Sequence, residues 1–139
     1  MAAILPASQI QLVGPLHGAR TRTSHTEEPG WENVLQQLQE IRALTDDWDG
    51  QGAEAPTVAN VNWAIAWVEQ MRQYPGAIVP MRAVPGVGGE LYLEWRCDDL
   101  RVDAEIAAPA RVEWTLSESG KANRHWVTEG GLPYFLCAN

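Results

Sequence analysis

The 139-residue sequence has few of the residues that build disulfide, metal and nucleophilic sites. It contains two cysteines, Cys97 and Cys137, and because two cysteines do not make a disulfide framework we expect both thiols to be reduced. The cysteines and the three histidines show no zinc-ligand spacing. No serine lies in a local signature of nucleophilic catalysis, and the glycines of segment 85–89 lack the lysine and hydroxyl residue of a phosphate loop. The sequence therefore predicts no catalytic residue, no bound metal and no cofactor.

Long apolar runs are also missing. No stretch approaches the roughly 20 apolar residues that a membrane-spanning helix needs. The N-terminus lacks the basic region of a secretory signal. These features predict a cytoplasmic protein of bacterial type with no membrane partner. The length predicts one domain, which is large enough to bury a core.

Basic residues are scarce where acidic residues are concentrated. The net charge is −8, and residues 27–54 hold eight acidic residues against a single arginine. A surface that binds nucleic acid needs a basic footprint, so this distribution argues against direct nucleic-acid binding. The same concentration of negative charge permits docking to a basic protein.

Phenylalanine occurs once, whereas tryptophan occurs seven times. Tryptophan buries a large apolar area but carries an N–H group that needs a hydrogen-bond partner. Seven tryptophans in one small domain indicate a tryptophan-rich core, an aromatic contact surface, or both.

Two amphipathic helices are predicted in the first half of the chain. The first runs from about 30 to 46, after a Pro29-Gly30 break, with apolar residues at spacings of three and four. The second runs from Pro56 to about Tyr74 and carries two apolar stripes. A helix that is apolar on two sides is covered on two sides, either by the sheet and the first helix or by the sheet and a partner protein on the tryptophan stripe. The two stripes consist of Val58, Val61, Ile65 and Val68, and of Trp63, Trp67 and Tyr74.

The rest of the sequence predicts an antiparallel sheet. Apolar and polar residues alternate over 90–96, 100–107 and 111–118, and a further strand is predicted over 124–129, after a turn. Segments 77–84 and 132–138 each contain a proline and are at best edge strands. Helices followed by a meander predict an α+β two-layer fold, with two helices packed on an antiparallel sheet of about four to five strands. We assign residues 1–30 to a loosely ordered N-terminal arm and residues 31–139 to the single α+β domain.

The charges on two of these strands predict their register. Pairing Arg96 with Asp99 and Glu94 with Arg101 brings opposite charges together, whereas a shift of two residues brings like charges together. We therefore expect the first register, with a tight turn at Cys97-Asp98.

The stretch LTDDWDGQGAEAP, residues 44–56, lies between the two predicted helices. Its start is similar to a calcium loop, but Pro56 stands where the loop needs glutamate and Thr45 stands at the first ligand position, so the match fails. Its two glycines suit a sharp turn in which Asp47 or Asp49 accepts backbone N–H groups. The stretch therefore predicts a structured turn with an acidic surface.

This stretch and two later segments resemble a pattern found in small uncharacterised bacterial proteins. In that pattern a W-D-G-x-G-A turn precedes a helix and a G-E-x-x-L-E-W strand follows. Here GGELYLEWR (88–96) and LRVDAEI (100–106) complete the match, which covers about residues 34–118. The resemblance implies an accessory protein of the kind found beside toxin or defence genes, and it carries over no catalytic residue.

The leading hypothesis is a non-enzymatic protein-interaction module, either antitoxin-like or immunity-like or an accessory subunit of a bacterial defence complex. It would dock another, basic protein through an acidic surface that contains tryptophan anchors. One alternative is a small enzyme whose site combines Asp47, Asp49 and His125 at the helix–sheet boundary. Another is a self-associating subunit that pairs through the edge strand 77–84 or the arm. The predicted partner-binding residues are Asp46, Asp47, Trp48, Asp49, Glu54, Trp63 and Trp67.

Overall fold

The computed structural model describes residues 24–129, which form two helices followed by five strands. The helices are α1 (Ser24–Arg42) and α2 (Val58–Met71). The strands are β1 (Arg82–Pro85), β2 (Leu91–Cys97), β3 (Leu100–Ala108), β4 (Arg111–Glu118) and β5 (Arg124–Glu129). Each strand pairs antiparallel with the next in the chain, so the sheet is a meander. The helices and the inner face of the sheet share one apolar core, which confirms the α+β two-layer fold.

Helix α1 forms where the apolar spacing predicts it, but both of its ends differ from the prediction. Its backbone is helical from Ser24, so Pro29 and Gly30 lie inside the helix and the predicted break is wrong. An interior proline costs about 3 kcal/mol, because it removes a helical hydrogen bond and crowds the carbonyl four residues back. The packing of the apolar stripe that follows it in the core offsets this cost. At the other end the amides of Ala43 and Leu44 bond to carbonyls three residues back, which closes the helix before the predicted end at 46. The buried stripe consists of Trp31, Val34, Leu38 and Ile41.

Helix α2 packs between α1 and strand β3, so the sheet and the first helix cover it. The Oγ1 atom of Thr57 accepts a hydrogen bond from the Asn60 amide and caps the first turn. The predicted stripes are partly wrong, because Val58 is 56 % exposed and Tyr74 lies exposed beyond the helix end. The face that is buried combines members of both stripes with a polar side chain. It consists of Asn60, Val61, Ala64, Trp67, Val68 and Met71.

Four of the seven tryptophans are buried, so the tryptophan-rich core is confirmed. Trp114 lies at its centre, with ring centroids 5.9 Å from Trp67, 5.8 Å from Trp95 and 5.9 Å from Trp126. The Trp114 indole N–H has a hydrogen-bond partner in the hydroxyl of Thr128 at 2.9 Å, as a buried indole requires. The four buried tryptophans are Trp31, Trp67, Trp95 and Trp114.

The alternation of the strands is confirmed, since the predicted inward residues line the core. On β3, for example, Val102, Ala104 and Ile106 are buried, and the residues between them lie on the outer face of the sheet. The segment over 77–84 is confirmed as an edge, because β1 starts only after Pro80 and is four residues long.

The predicted register of β2 against β3 is wrong. Arg96 lies opposite Arg101 and Glu94 lies opposite Asp103, which is the arrangement that the charges disfavour. The turn accounts for this register. It consists of Asp98 and Asp99, and Asp98 has a φ of 55°, a left-handed conformation that aspartate tolerates better than cysteine does. Arg82 and Arg101 bind the acidic pair and neutralise it. The preference of the turn therefore has to outweigh only the Arg96–Arg101 repulsion, which is worth about 0.2–1 kcal/mol.

Two predicted segments fall wholly or partly outside the described residues. Residues 1–23 of the proposed arm and the whole of the proposed edge strand over 132–138 lie outside. Residues 24–30 of the proposed arm belong to α1. No helix within residues 24–129 combines the length and the apolar character that crossing a membrane requires.

Candidate functional site

Residues 43–57, here called the acidic loop, connect α1 to α2 and lie against the turn between β1 and β2. The amide of Glu54 donates to the carbonyl of Val87 at 2.9 Å, and the amide of Thr57 donates to the carbonyl of Gly89 at 3.2 Å. These two bonds fix the second half of the loop to one end of the sheet.

Two aspartates hold the first half of the acidic loop in place. The Oδ1 atom of Asp46 accepts from the amide of Ala55 at 3.0 Å, and the Oδ1 atom of Asp47 accepts from the amide of Gly52 at 2.7 Å. Such side-chain-to-backbone bonds stabilise turns in which the backbone amides have no strand or helix partner. The predicted structural role of Asp47 is therefore confirmed.

Asp49 holds the tip of the acidic loop with two bonds. Its Oδ1 atom accepts from the amides of Gln51 at 2.8 Å and Ala53 at 3.1 Å. Hydrogen bonds from these two amides lower the pKa of the Asp49 carboxyl below its ordinary value, because they stabilise the charged form. Asp49 is therefore ionised at neutral pH.

The backbone of the acidic loop explains its two glycines. Gly50 has a φ of 75° and Gly52 a φ of 87°, which are conformations that glycine adopts without steric cost. Asp47 also has a positive φ of 67°. The predicted need for unusual dihedrals at both glycines is confirmed.

The acidic loop carries four carboxylates and no basic residue. Asp46, Asp47, Asp49 and Glu54 are all exposed. Within residues 24–129, none of them forms a salt bridge, and the second oxygen of each aspartate accepts no hydrogen bond. The loop is therefore a fixed surface of uncompensated negative charge.

The three tryptophans predicted to bind a partner differ in position. Trp48 lies in the acidic loop and is half-buried, with its indole N–H 3.3 Å from the carbonyl of Glu54. Trp63 is also half-buried, and its ring stacks on Trp67 at 4.9 Å between centroids. Trp67 is only 2 % exposed, so its prediction as a surface anchor is wrong. Its indole fills the space between α2 and the sheet instead.

Two exposed valines border the acidic loop and were not predicted from the sequence. Val87 is 64 % exposed and lies in the β1–β2 turn, where its own carbonyl accepts a hydrogen bond from the amide of Glu54. Val58 is 56 % exposed and begins α2, directly after the loop. Helical spacing assigns Val58 to a buried stripe, whereas Val87 stands between glycines that offer it little to pack against. The position of Val87 between two glycines is the sequence signal that could have predicted its exposure.

His125 lies far from the acidic loop. It is on β5, at the opposite edge of the sheet from β1, and its Nδ1 atom is 3.1 Å from the hydroxyl of Thr115. The loop contacts the β1–β2 turn, and three strand spacings, about 14 Å, separate β2 from β5. The structure therefore does not bring Asp47, Asp49 and His125 together, and the enzymatic site proposed for them is wrong.

Within residues 24–129, no group of three or more histidine, cysteine, aspartate or glutamate side chains could hold a metal ion. Comparisons of the chain with protein-family models, with curated proteins and with solved structures find no match.

Proposed function

We propose that the protein is a non-enzymatic interaction module that docks a basic protein in the cytoplasm through the acidic loop. The observation that supports this proposal is that the two carboxylate oxygens of each aspartate have different roles. One oxygen of Asp46, Asp47 and Asp49 holds the loop, and within residues 24–129 the other has no donor. Because these carboxylates are already oriented, a lysine or arginine can bind them with little further loss of side-chain entropy.

The apolar part of the proposed surface consists of Trp48, Val58 and Val87. These side chains lie in the acidic loop or directly beside it, and each is at least partly exposed. Aromatic and apolar anchors supply most of the free energy of protein interfaces, whereas charges steer association and set its orientation. The expected partner surface is therefore a basic segment that also carries an apolar side chain.

The biological class of the partner is inferred from the resemblance of residues 34–118 to accessory proteins found beside toxin or defence genes. We propose an antitoxin-like or immunity-like protein, or an accessory subunit of a bacterial defence complex. A preformed acidic surface suits such a role, because complementary charge raises the association rate for a basic partner and disfavours acidic competitors.

The test must remove charge without unfolding the loop. Lysine at positions 46, 47 and 49 would remove the oxygens that hold the backbone, so we choose D46N/D47N/D49N, which keeps an acceptor oxygen at each position. Proteins captured from the native source by the wild type and by this variant are quantified side by side by mass spectrometry. We expect one basic protein to be depleted at least tenfold with the variant, since three charges are lost.

The matched control removes the same number of charges from the helices, in the variant E32Q/E40Q/E69Q. All three glutamates are exposed and lie on α1 or α2. The control should retain the partner at the wild-type level. If the loop variant retains every protein that the wild type captures, or if both variants lose the same proteins equally, docking through the acidic loop is excluded.

A further inference from the structure

The outer face of the sheet, which points away from the helices, carries rows of like charge across neighbouring strands. Arg96 of β2 lies directly opposite Arg101 of β3. Further along the same face, Glu105 of β3 lies directly opposite Glu113 of β4. Like charges in directly opposite positions destabilise a sheet, so both rows cost stability in a single molecule.

The row between them is neutralised within the molecule. Glu94 lies opposite Asp103, but Arg82 binds Glu94 at 2.8 Å and Arg101 binds it at 3.4 Å. Arg101 also binds Asp103 at 3.2 Å. These contacts compensate the burial of Glu94, which is only 6 % exposed. The middle row therefore offers no net charge to a partner.

The two outer rows are less well compensated. Within residues 24–129, Arg96 has no acidic partner and Glu105 has no basic partner, while Glu113 has only Arg111 at 3.8 Å. Burial of the carboxyl, followed by the charges of Glu113 and Glu90, raises the pKa of Glu105. Arg101 is already paired with Glu94 and Asp103, so the uncompensated positive charge of its row is that of Arg96. The face thus has this positive charge at one end and a negative row at the other.

The spacing of the rows makes the face self-complementary. Four residues along β2 separate Arg96 from Tyr92, which pairs with Glu105, so the two rows are about 14 Å apart. The Glu94–Asp103 row lies halfway between them. A two-fold axis that follows this middle row between two facing sheets places the arginine row of each copy over the glutamate row of the other. Arg101 then lies over Glu105, and Arg96 lies over Tyr92, one strand spacing or about 5 Å to the side of Glu105.

We propose that two copies of the chain associate through the outer faces of their sheets with this symmetry. A second copy suits the face better than a basic or an acidic protein does, because either of those would meet one row of its own sign. The face is five strands wide and about seven residues long, or roughly 24 by 24 Å. An area of roughly 600 Å² from each copy is at the low end for specific interfaces, so the dimer is weak and dominated by charge.

Sedimentation of the full chain over a concentration series from micromolar to millimolar tests the proposal. We expect the wild type to dimerise at low salt and to dissociate as the salt is raised to about 0.5 M, where screening exceeds that at physiological strength. The variant R96E should weaken the dimer about tenfold or more, because both symmetric contacts become repulsive. The conservative variant R96K retains the charge and should dimerise like the wild type.

Complementation between two variants makes the test specific for this geometry. E105K should weaken self-association as R96E does, but a mixture of R96E and E105K should form a heterodimer of wild-type affinity, since each contact then joins opposite charges. E113K, at a more exposed position, provides the same measurement independently of E105K. A wild type that stays monomeric at millimolar concentration and low salt overturns the proposal. So does a dimer that R96E leaves unchanged, or a mixture that fails to associate.

Discussion

Asn60 is the side chain whose replacement tests most directly how α2 is attached to the sheet. It is only 3 % exposed, and its Nδ2 atom donates to the carbonyl of Gly89 at 3.1 Å and to the carbonyl of Ala107 at 3.2 Å. The register of β3 against β4 shifts around Ala107, so the strand ladder is irregular where Asn60 binds it. One amide thus joins the start of α2 to the β1–β2 turn and to the last residues of β3, which lie at the same end of the sheet.

The variant N60A should destabilise the fold by about 2–3 kcal/mol. Each of the two lost hydrogen bonds contributes about 1 kcal/mol, and the Ala107 carbonyl loses a partner in a partly buried position. Gly89 retains the amide of Thr57 as a donor, which limits the loss there. With a urea dependence of about 2 kcal/mol/M, the unfolding midpoint should fall by roughly 1–1.5 M.

The variant N60D adds a pH-dependent test of the same contacts. A carboxylate at this buried position would face two carbonyl oxygens, so its folded-state pKa is raised above the unfolded value of about 3.9. The protonated acid folds without this penalty, so the difference in stability between N60D and N60A is small below about pH 4. As the pH rises through the raised folded pKa, N60D becomes less stable than N60A.

Urea titrations followed by far-UV circular dichroism measure both effects, with N62A as the control. Asn62 is exposed and only accepts a hydrogen bond from Arg42, so N62A should cost less than about 0.5 kcal/mol. If N60A and N62A have the same midpoint, the attachment of α2 through Asn60 is refuted. A stability difference between N60D and N60A that does not change with pH refutes the assigned direction of the amide.

Two further predictions concern aromatic residues. W67A should cost about 3–5 kcal/mol because the indole is buried, whereas W63A should cost about 1–2 kcal/mol because its ring is half exposed; equal losses in urea titrations would contradict this difference in burial. Burial and the charge of Glu105 raise the pKa of Tyr92 to about 12. The difference in tyrosinate absorbance between the wild type and Y92F, measured as the pH is raised, should therefore have its midpoint near pH 12. Because this folded-state pKa is raised, the stabilising effect is present below about pH 10 and is lost as the pH rises through 12, and a midpoint near 10 would refute the assigned environment.

The strands were the part of the fold that the sequence predicted best, and the reason is periodicity. Val102, Ala104 and Ile106 alternate with polar residues, and a half-buried strand in a two-layer fold requires this alternation. The acidic loop was also predictable, because glycine at positive φ and aspartate beside free amides are local preferences. Both predictions depend on interactions within a few residues.

The errors concern interactions between elements. Trp67 and Val58 each belong to a predicted apolar stripe of α2, yet Trp67 is buried and Val58 is exposed. Which stripe is buried depends on how α1 and the sheet pack against α2. Asn60 was overlooked because its partners, Gly89 and Ala107, are remote in sequence. The register of β2 followed from the conformation of Asp98, whose preference for the turn outweighed the strand charges. Local sequence patterns carry no information about such contacts between elements.

The two proposed surfaces lie on different parts of the molecule, and their relative positions predict how a dimer would bind its partners. The acidic loop contacts the β1–β2 turn, which is at the same end of the strands as the Glu105–Glu113 row. A two-fold axis along the Glu94–Asp103 row reverses the strand direction, so the two acidic loops of a dimer point away from each other. The two loops of such a dimer cannot bind the same small basic protein at once. Each loop can bind its own partner molecule, so that the dimer joins two partner molecules. R96E should therefore abolish this joining while leaving the affinity of each acidic loop unchanged. D46N/D47N/D49N should weaken that affinity while leaving dimerisation unchanged, because neither set of residues contributes to the other surface.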